Sequence, residues 1–126
     1  WLAWRYGHVV VLAGSARQAR AWGADGAYGS PASLAKGPPL LRLATAHSHR
    51  EIAAARRARA DAVLLSPVFA TRSHPGAKVL GPLRAALAAR LSPLPVIALG
   101  GMNARNARRL PGLSWAAIDG LCTPLR

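Results

Sequence analysis

Short apolar runs alternate with Ala- and Arg-rich stretches along nearly the whole chain, and this alternation narrows the fold more than any other feature. His8–Ala13 (HVVVLA) is a continuous apolar run after its first residue, as expected of a strand buried on both faces. A helical stretch follows at Ala16–Trp22. The pattern then continues with a strand at Gly26–Gly29 and a strand at Leu40–Ala46 leading into a helix at His49–Arg59. Ala62–Phe69 (AVLLSPVF), the strongest strand, precedes a helix at Pro82–Arg90. Pro95–Leu99 precedes a helix at Ala104–Leu110, and a last strand is expected at Trp115–Ile118. Strands separated by helices predict a parallel sheet of βα units, hence an α/β fold. One junction recurs. Trp22-Gly23-Ala24-Asp25-Gly26 and Arg59-Ala60-Asp61-Ala62 each end a helix and launch a strand, and Pro111-Gly112-Leu113-Ser114-Trp115 holds the same place without the acid. Repeated units of this kind suit a TIM-type (β/α) barrel. Asp25 and Asp61 then lie at the end of the sheet away from chemistry, with structural roles.

The chain has 126 residues, a length that fits one domain, and its 52% hydrophobic content suffices for a core. No apolar run approaches the roughly 18 residues of a membrane span. The opening residues, Trp1 to His8, lack the apolar region and cleavage site of a signal peptide, so the chain reads as a fragment or a trimmed protein. A lone cysteine, Cys122, excludes an internal disulfide framework and a Cys-rich zinc site, and it fits a cytoplasmic location. The net charge is +13, from 17 Lys and Arg against 4 acids. The arginines are scattered, with no run of five or six like charges. A proteome-wide Arg and Ala bias, with solvated helix faces, explains this better than a polyanion partner does. No recognition helix, aromatic stacking platform or RNA motif is present, so a basic nucleic-acid-binding domain is the weakest of the readings.

Three segments sit where strands end, and in a (β/α) barrel that end carries the active site. The first is Thr45-Ala46-His47-Ser48, where a histidine is placed to move a proton near neutral pH. The plain alternative is a histidine bonded to a neighbouring backbone group. Ser48-His49-Arg50-Glu51 matches a capping box, with Ser48 accepting from the Glu51 N–H and Glu51 reaching back. This makes Glu51 a cap and leaves Asp119 as the carboxylate free for chemistry. The second segment is the loop Ser66–Lys78 (SPVFATRSHPGAK). Its Thr71, Arg72, Ser73, His74 and Lys78 offer several donors to a phosphate or diphosphate, and Pro75-Gly76 supplies a turn that lets the loop close. An ordinary surface loop is the alternative. The third is Gly100-Gly101, where two glycines let backbone N–H groups approach a phosphate beside a helix N-terminus. Its expected partner is the turn Ile118-Asp119-Gly120, because the last two strands of such barrels often share a phosphate site.

At these segments the sequence resembles the thiamine phosphate synthase/TenI family. The residues that carry the resemblance are TAHS (45–48), ADAVLLSPVFATRSHPGAKVLG (60–81), PVIALGGM (95–102) and AIDGL (117–121), with GADGAYG (23–29) similar to the preceding strand. The resemblance implies a single barrel domain over residues 1–126 that holds strands three to eight and lacks the first two βα units. An open sheet of that kind needs either more chain or a partner, and a homo-oligomer is one way to supply it. The implied function belongs to thiamine biosynthesis: binding a thiazole phosphate and joining it to a pyrimidine diphosphate, with Mg2+ assisting synthase activity. The alternative within the family is a metal-independent thiazole tautomerase or a non-catalytic binder of a phosphorylated ligand. Carried over by position, Gly100, Gly101, Ile118 and Asp119 match the thiazole-phosphate cradle, Thr45 and Thr71 match hydroxyls near the diphosphate, and His47 matches the tautomerase histidine. The synthase pattern has Asn-Asp after its third strand and an acid after its fourth. Here Ala13-Gly14-Ser15 and Tyr28-Gly29-Ser30-Pro31 stand at those turns. His74 replaces the loop lysine, and Asp119 replaces a small hydroxyl.

Overall fold

A computed structural model describes residues 2–121. Trp1 and Cys122 lie outside the described residues. The elements run in chain order: α1 (Leu2–Arg5), β1 (Val11–Ala13), α2 (Ala16–Ala21), β2 (Gly26–Gly29), α3 (Pro31–Leu34), β3 (Leu41–Ala46), α4 (His49–Arg57), β4 (Ala62–Leu65), α5 (Pro82–Leu91), β5 (Val96–Ala98), α6 (Ala104–Ala107) and β6 (Ser114–Trp115). The six strands form one sheet in the order β1-β2-β3-β4-β5-β6, and every pair is parallel. An order that never doubles back is that of a barrel wall. A doubly wound sheet would reverse direction at a switch point. Among the described residues the first and last strands do not pair with each other, so the wall is open, a partial (β/α) barrel.

One face of this wall is dry and the other is half wet. Ala27, Ala44, Ala46, Val63, Leu65, Val96 and Ala98 share the buried face. They pack with Ala19 of α2, Leu34 of α3, Ile52 and Ala55 of α4, and Ala85 and Ala88 of α5. Alanine dominates because close helix-on-sheet contact leaves little room for larger side chains. The register places Leu43 beside Ala62, Thr45 beside Leu64, and Leu64 in turn beside Ile97, on the opposite face. There Leu41, Leu43, Thr45 and Ile97 are only half-buried. The alternation within β3 is the plainest record of the two environments.

The recurrent acid junction has a defined job. The Val10 N–H donates to Asp25 Oδ2 at 2.8 Å, and the Asp25 N–H returns a bond to Val10 O at 2.9 Å. The Arg42 N–H donates to Asp61 Oδ2 at 2.8 Å, and the Asp61 N–H returns one to Arg42 O at 2.9 Å. Each aspartate thus clasps the start of the neighbouring strand to its own. The Arg42 side chain is the buried polar group of the core, and its Nη2 donates to Gly37 O and Pro38 O, both at 3.3 Å.

Several sequence expectations are corrected. The HVVVLA run is not buried on both faces: β1 spans Val11–Ala13, Ala13 is exposed, and Val9 is 65% exposed. This strand is the sheet's edge, with one neighbour and little cover. β4 stops at Leu65, before Ser66 and the cis-linked Pro67, because proline cannot donate to a ladder. α6 and β6 are shorter than expected, at four and two residues. The helix α3 was not anticipated. Ser30 caps it, accepting from the Ser33 N–H, and Pro31 occupies its first turn.

Candidate functional site

The strand ends, the loop from Ser66 to Gly81 and the last turn enclose a cleft of about 500 Å³ at the C-terminal end of the sheet. It brings together Thr45, His47, Thr71, Ser73, His74, Gly100, Gly101, Ile118 and Asp119. Of the residues expected at a site, Arg72 does not line it, and neither does Lys78. Tyr28, Ser66 and Met102 line it without having been singled out.

His47 follows β3 directly. Its backbone N–H donates to Glu51 Oε2 at 2.7 Å, and Ser48 Oγ accepts from the Glu51 N–H at 3.3 Å. The expected cap is therefore present but displaced by one residue, since Glu51 reaches His47 rather than Ser48. The His47 ring places Nδ1 2.7 Å from Ser66 O. A carbonyl oxygen only accepts, so Nδ1 carries the proton. In the neutral ring the lone pair is then on Nε2. The backbone bond anticipated as the plain alternative is real, and it fixes the tautomer rather than removing the ring from chemistry.

The loop after β4 is tied at its base by Leu80 N–H to Pro67 O and Gly81 N–H to Val68 O, both 2.9 Å. At its tip the Ala77 N–H donates to His74 O at 3.2 Å, which closes the Pro75-Gly76 turn. Thr71 Oγ1 accepts from the Ser73 N–H at 3.3 Å. Thr45 Oγ1 lies 3.4 Å from Gly29 O, a long bond.

Both glycines after β5 are in the left-handed region, with φ of 93° at Gly100 and 61° at Gly101. A Cβ at Gly100 would meet Pro67 at 2.7 Å, and one at Gly101 would strike the Ala70 carbonyl and the Phe69 side chain. The pair is thus wedged under the Ser66–Gly81 loop. The Arg109 guanidinium lies over the Phe69 ring, 5.0 Å from its centre. Asn106 Nδ2 donates to Gly101 O at 2.7 Å, while Asn103 Oδ1 accepts from the Asn106 N–H at 2.8 Å. Neither the Gly100 nor the Gly101 N–H donates to a protein acceptor among the described residues. The last turn comes up against this segment, since a Cβ at Gly120 would strike the Met102 carbonyl. α6, at four residues, adds little dipole of its own.

The donor set does not fit a magnesium centre. Mg2+ takes carboxylate and other hard oxygens in octahedral order. Asp119 supplies the cleft's one carboxylate among the described residues, and no three His, Cys, Asp or Glu residues cluster there.

The family model described as thiamine monophosphate synthase matches residues 37–120. A solved thiamine phosphate pyrophosphorylase from Pyrococcus furiosus superposes with a TM-score of 0.77 at 26% identity, covering 93% of this chain and 60% of that one. The chain thus spans less than two thirds of that relative's length. No curated protein matches it. No described helix is long and apolar enough to cross a membrane. The matched segment takes in β3 to β6 with every loop that lines the cleft, leaving out only Tyr28 of β2 among the lining residues, and on that ground the chain belongs to the thiamine monophosphate synthase/TenI family.

Proposed function

We propose that the cleft binds a thiazole of the kind used in thiamine biosynthesis and shifts a proton on it without a metal. The observation that carries this reading is the His47–Ser66 bond. With Nδ1–H committed to a carbonyl, Nε2 is the basic atom, and it belongs to a side chain lining the cleft. In the shift, Nε2 takes a proton from one ring position as that C–H bond breaks. It then returns the proton to another position as the new bond forms, so no redox partner is needed. The Gly100 and Gly101 N–H groups orient the ligand's oxygenated side chain, and the Ser66–Gly81 loop covers it. Reaction in the cytoplasm, with small-molecule ligands rather than nucleic acid, goes with this reading.

Replacing His47 with Ala is expected to slow isomerisation by about 100-fold or more, with ligand affinity changed far less. A chelator is expected to leave the wild-type rate untouched. A rate unchanged in His47→Ala would remove the proton-transfer role. The family description favours a second reading, the joining of a thiazole phosphate to a pyrimidine diphosphate. Metal-dependent pyrophosphate release from those two substrates would establish it in place of the first.

A further inference from the structure

We infer that Asp119 makes the cleft selective for a ligand whose side chain ends in a hydroxyl, rather than in a phosphate dianion. The inference rests on the thiazole reading above and concerns only the ligand's far end. Three observations carry it. First, a chain of net charge +13 places no Arg or Lys on the lining of its cleft, among the described residues. The charged side chain that does line it, beside the imidazoles of His47 and His74, is the carboxylate of Asp119. Second, Asp119 lies on the last turn, whose next residue, Gly120, abuts the Met102 carbonyl. This sets the carboxylate on the same wall as the Gly100 and Gly101 amides, which have no protein acceptor among the described residues. Third, Arg109, just beyond α6, is engaged over the Phe69 ring.

The hydrogen-bonding inventory then discriminates between head groups. The wall offers N–H donors on one side and an acceptor-only carboxylate on the other. An alcohol matches both, because its oxygen accepts from the glycine amides while its O–H donates to Asp119. A phosphate dianion carries acceptors alone. It can use the amides but leaves Asp119 facing like charge, with no lining Lys or Arg to offset the repulsion.

The test uses two probes, 4-methyl-5-(2-hydroxyethyl)thiazole and its phosphate monoester, titrated calorimetrically at pH 8 into the full 126-residue chain and into Asp119→Ser and Asp119→Asn. Asp119 is exposed, so neither change disturbs the core; thermal melts check this. The wild type is expected to bind the alcohol more tightly than the monoester. In Asp119→Ser the ratio of affinities should move by tenfold or more toward the monoester, and Asp119→Asn should move it the same way. A wild type that prefers the monoester, with a ratio unmoved by either substitution, overturns the inference and leaves the thiazole reading standing. Failure of both probes to bind any of the three proteins overturns both.

Discussion

Gly101 answers to two constraints at once. Its φ of 61° suits glycine, and the space beside its Cα is filled by the Ala70 carbonyl and Phe69. Gly101→Ala is therefore expected to cost about 2–3 kcal/mol, read as a drop in Tm of about 10 °C. Asn106→Ala should act more gently. It removes the bond to Gly101 O, worth about 1 kcal/mol, and frees the diglycine to move, so a titration should show weaker ligand binding before it shows lost stability. At this scale the sequence was legible where chemistry needs a particular side chain or the lack of one. His47 and Gly100-Gly101 could be singled out for that reason. The Ser66 carbonyl that sets the His47 tautomer could not, because a backbone group leaves no mark on residue type. Asn106 had a faint signal in the Asn-x-x-Asn spacing with Asn103. Arg72 lies off the cleft lining, and a cation in a loop does not show from its residue type which way it faces.

Helix ends decide much of what the elements do. After α2 the chain turns through Gly23 at φ 69°, and after α4 it makes the same turn through Arg59 at φ 58°. The bonding is also the same: Ala24 N–H to Ala19 O at 2.9 Å, and Ala60 N–H to Ala55 O at 3.0 Å. Arginine carries a Cβ penalty there that glycine does not. Arg59→Gly is expected to raise stability by about 1 kcal/mol, seen as a higher denaturant midpoint at constant slope. This parallel explains why these two junctions could be recognised as repeats although only the first of them turns through glycine. The elements themselves were legible through apolar runs, and their lengths were not. A run such as AVLLSPVF reports burial, and burial continues past the ladder into Val68, which is fully buried. The short helix α3 was hidden because four residues carry no periodicity. Its signature lay in the Ser30-Pro31 start alone.

As a whole, the molecule is a wall with one finished side. Leu41, Leu43 and Ile97 are half-exposed on the side that a closed barrel would fill, and β1 leaves a free edge. The 126-residue chain by itself is expected to bind ANS and to associate as its concentration rises in sedimentation experiments. Leu43→Thr with Ile97→Thr should lower the dye signal. The paired clasps of Asp25 on Val10 and Asp61 on Arg42 give this open wall a polarity. They pin strand alignment at the margin remote from the cleft. Loops at the reactive margin are thereby relieved of holding neighbouring strands in step. Segments such as Thr71–Lys78 can drift, lengthen or be exchanged between relatives with little penalty to folding, whereas an Asp-to-Ala change at either clasp would be felt by the entire sheet.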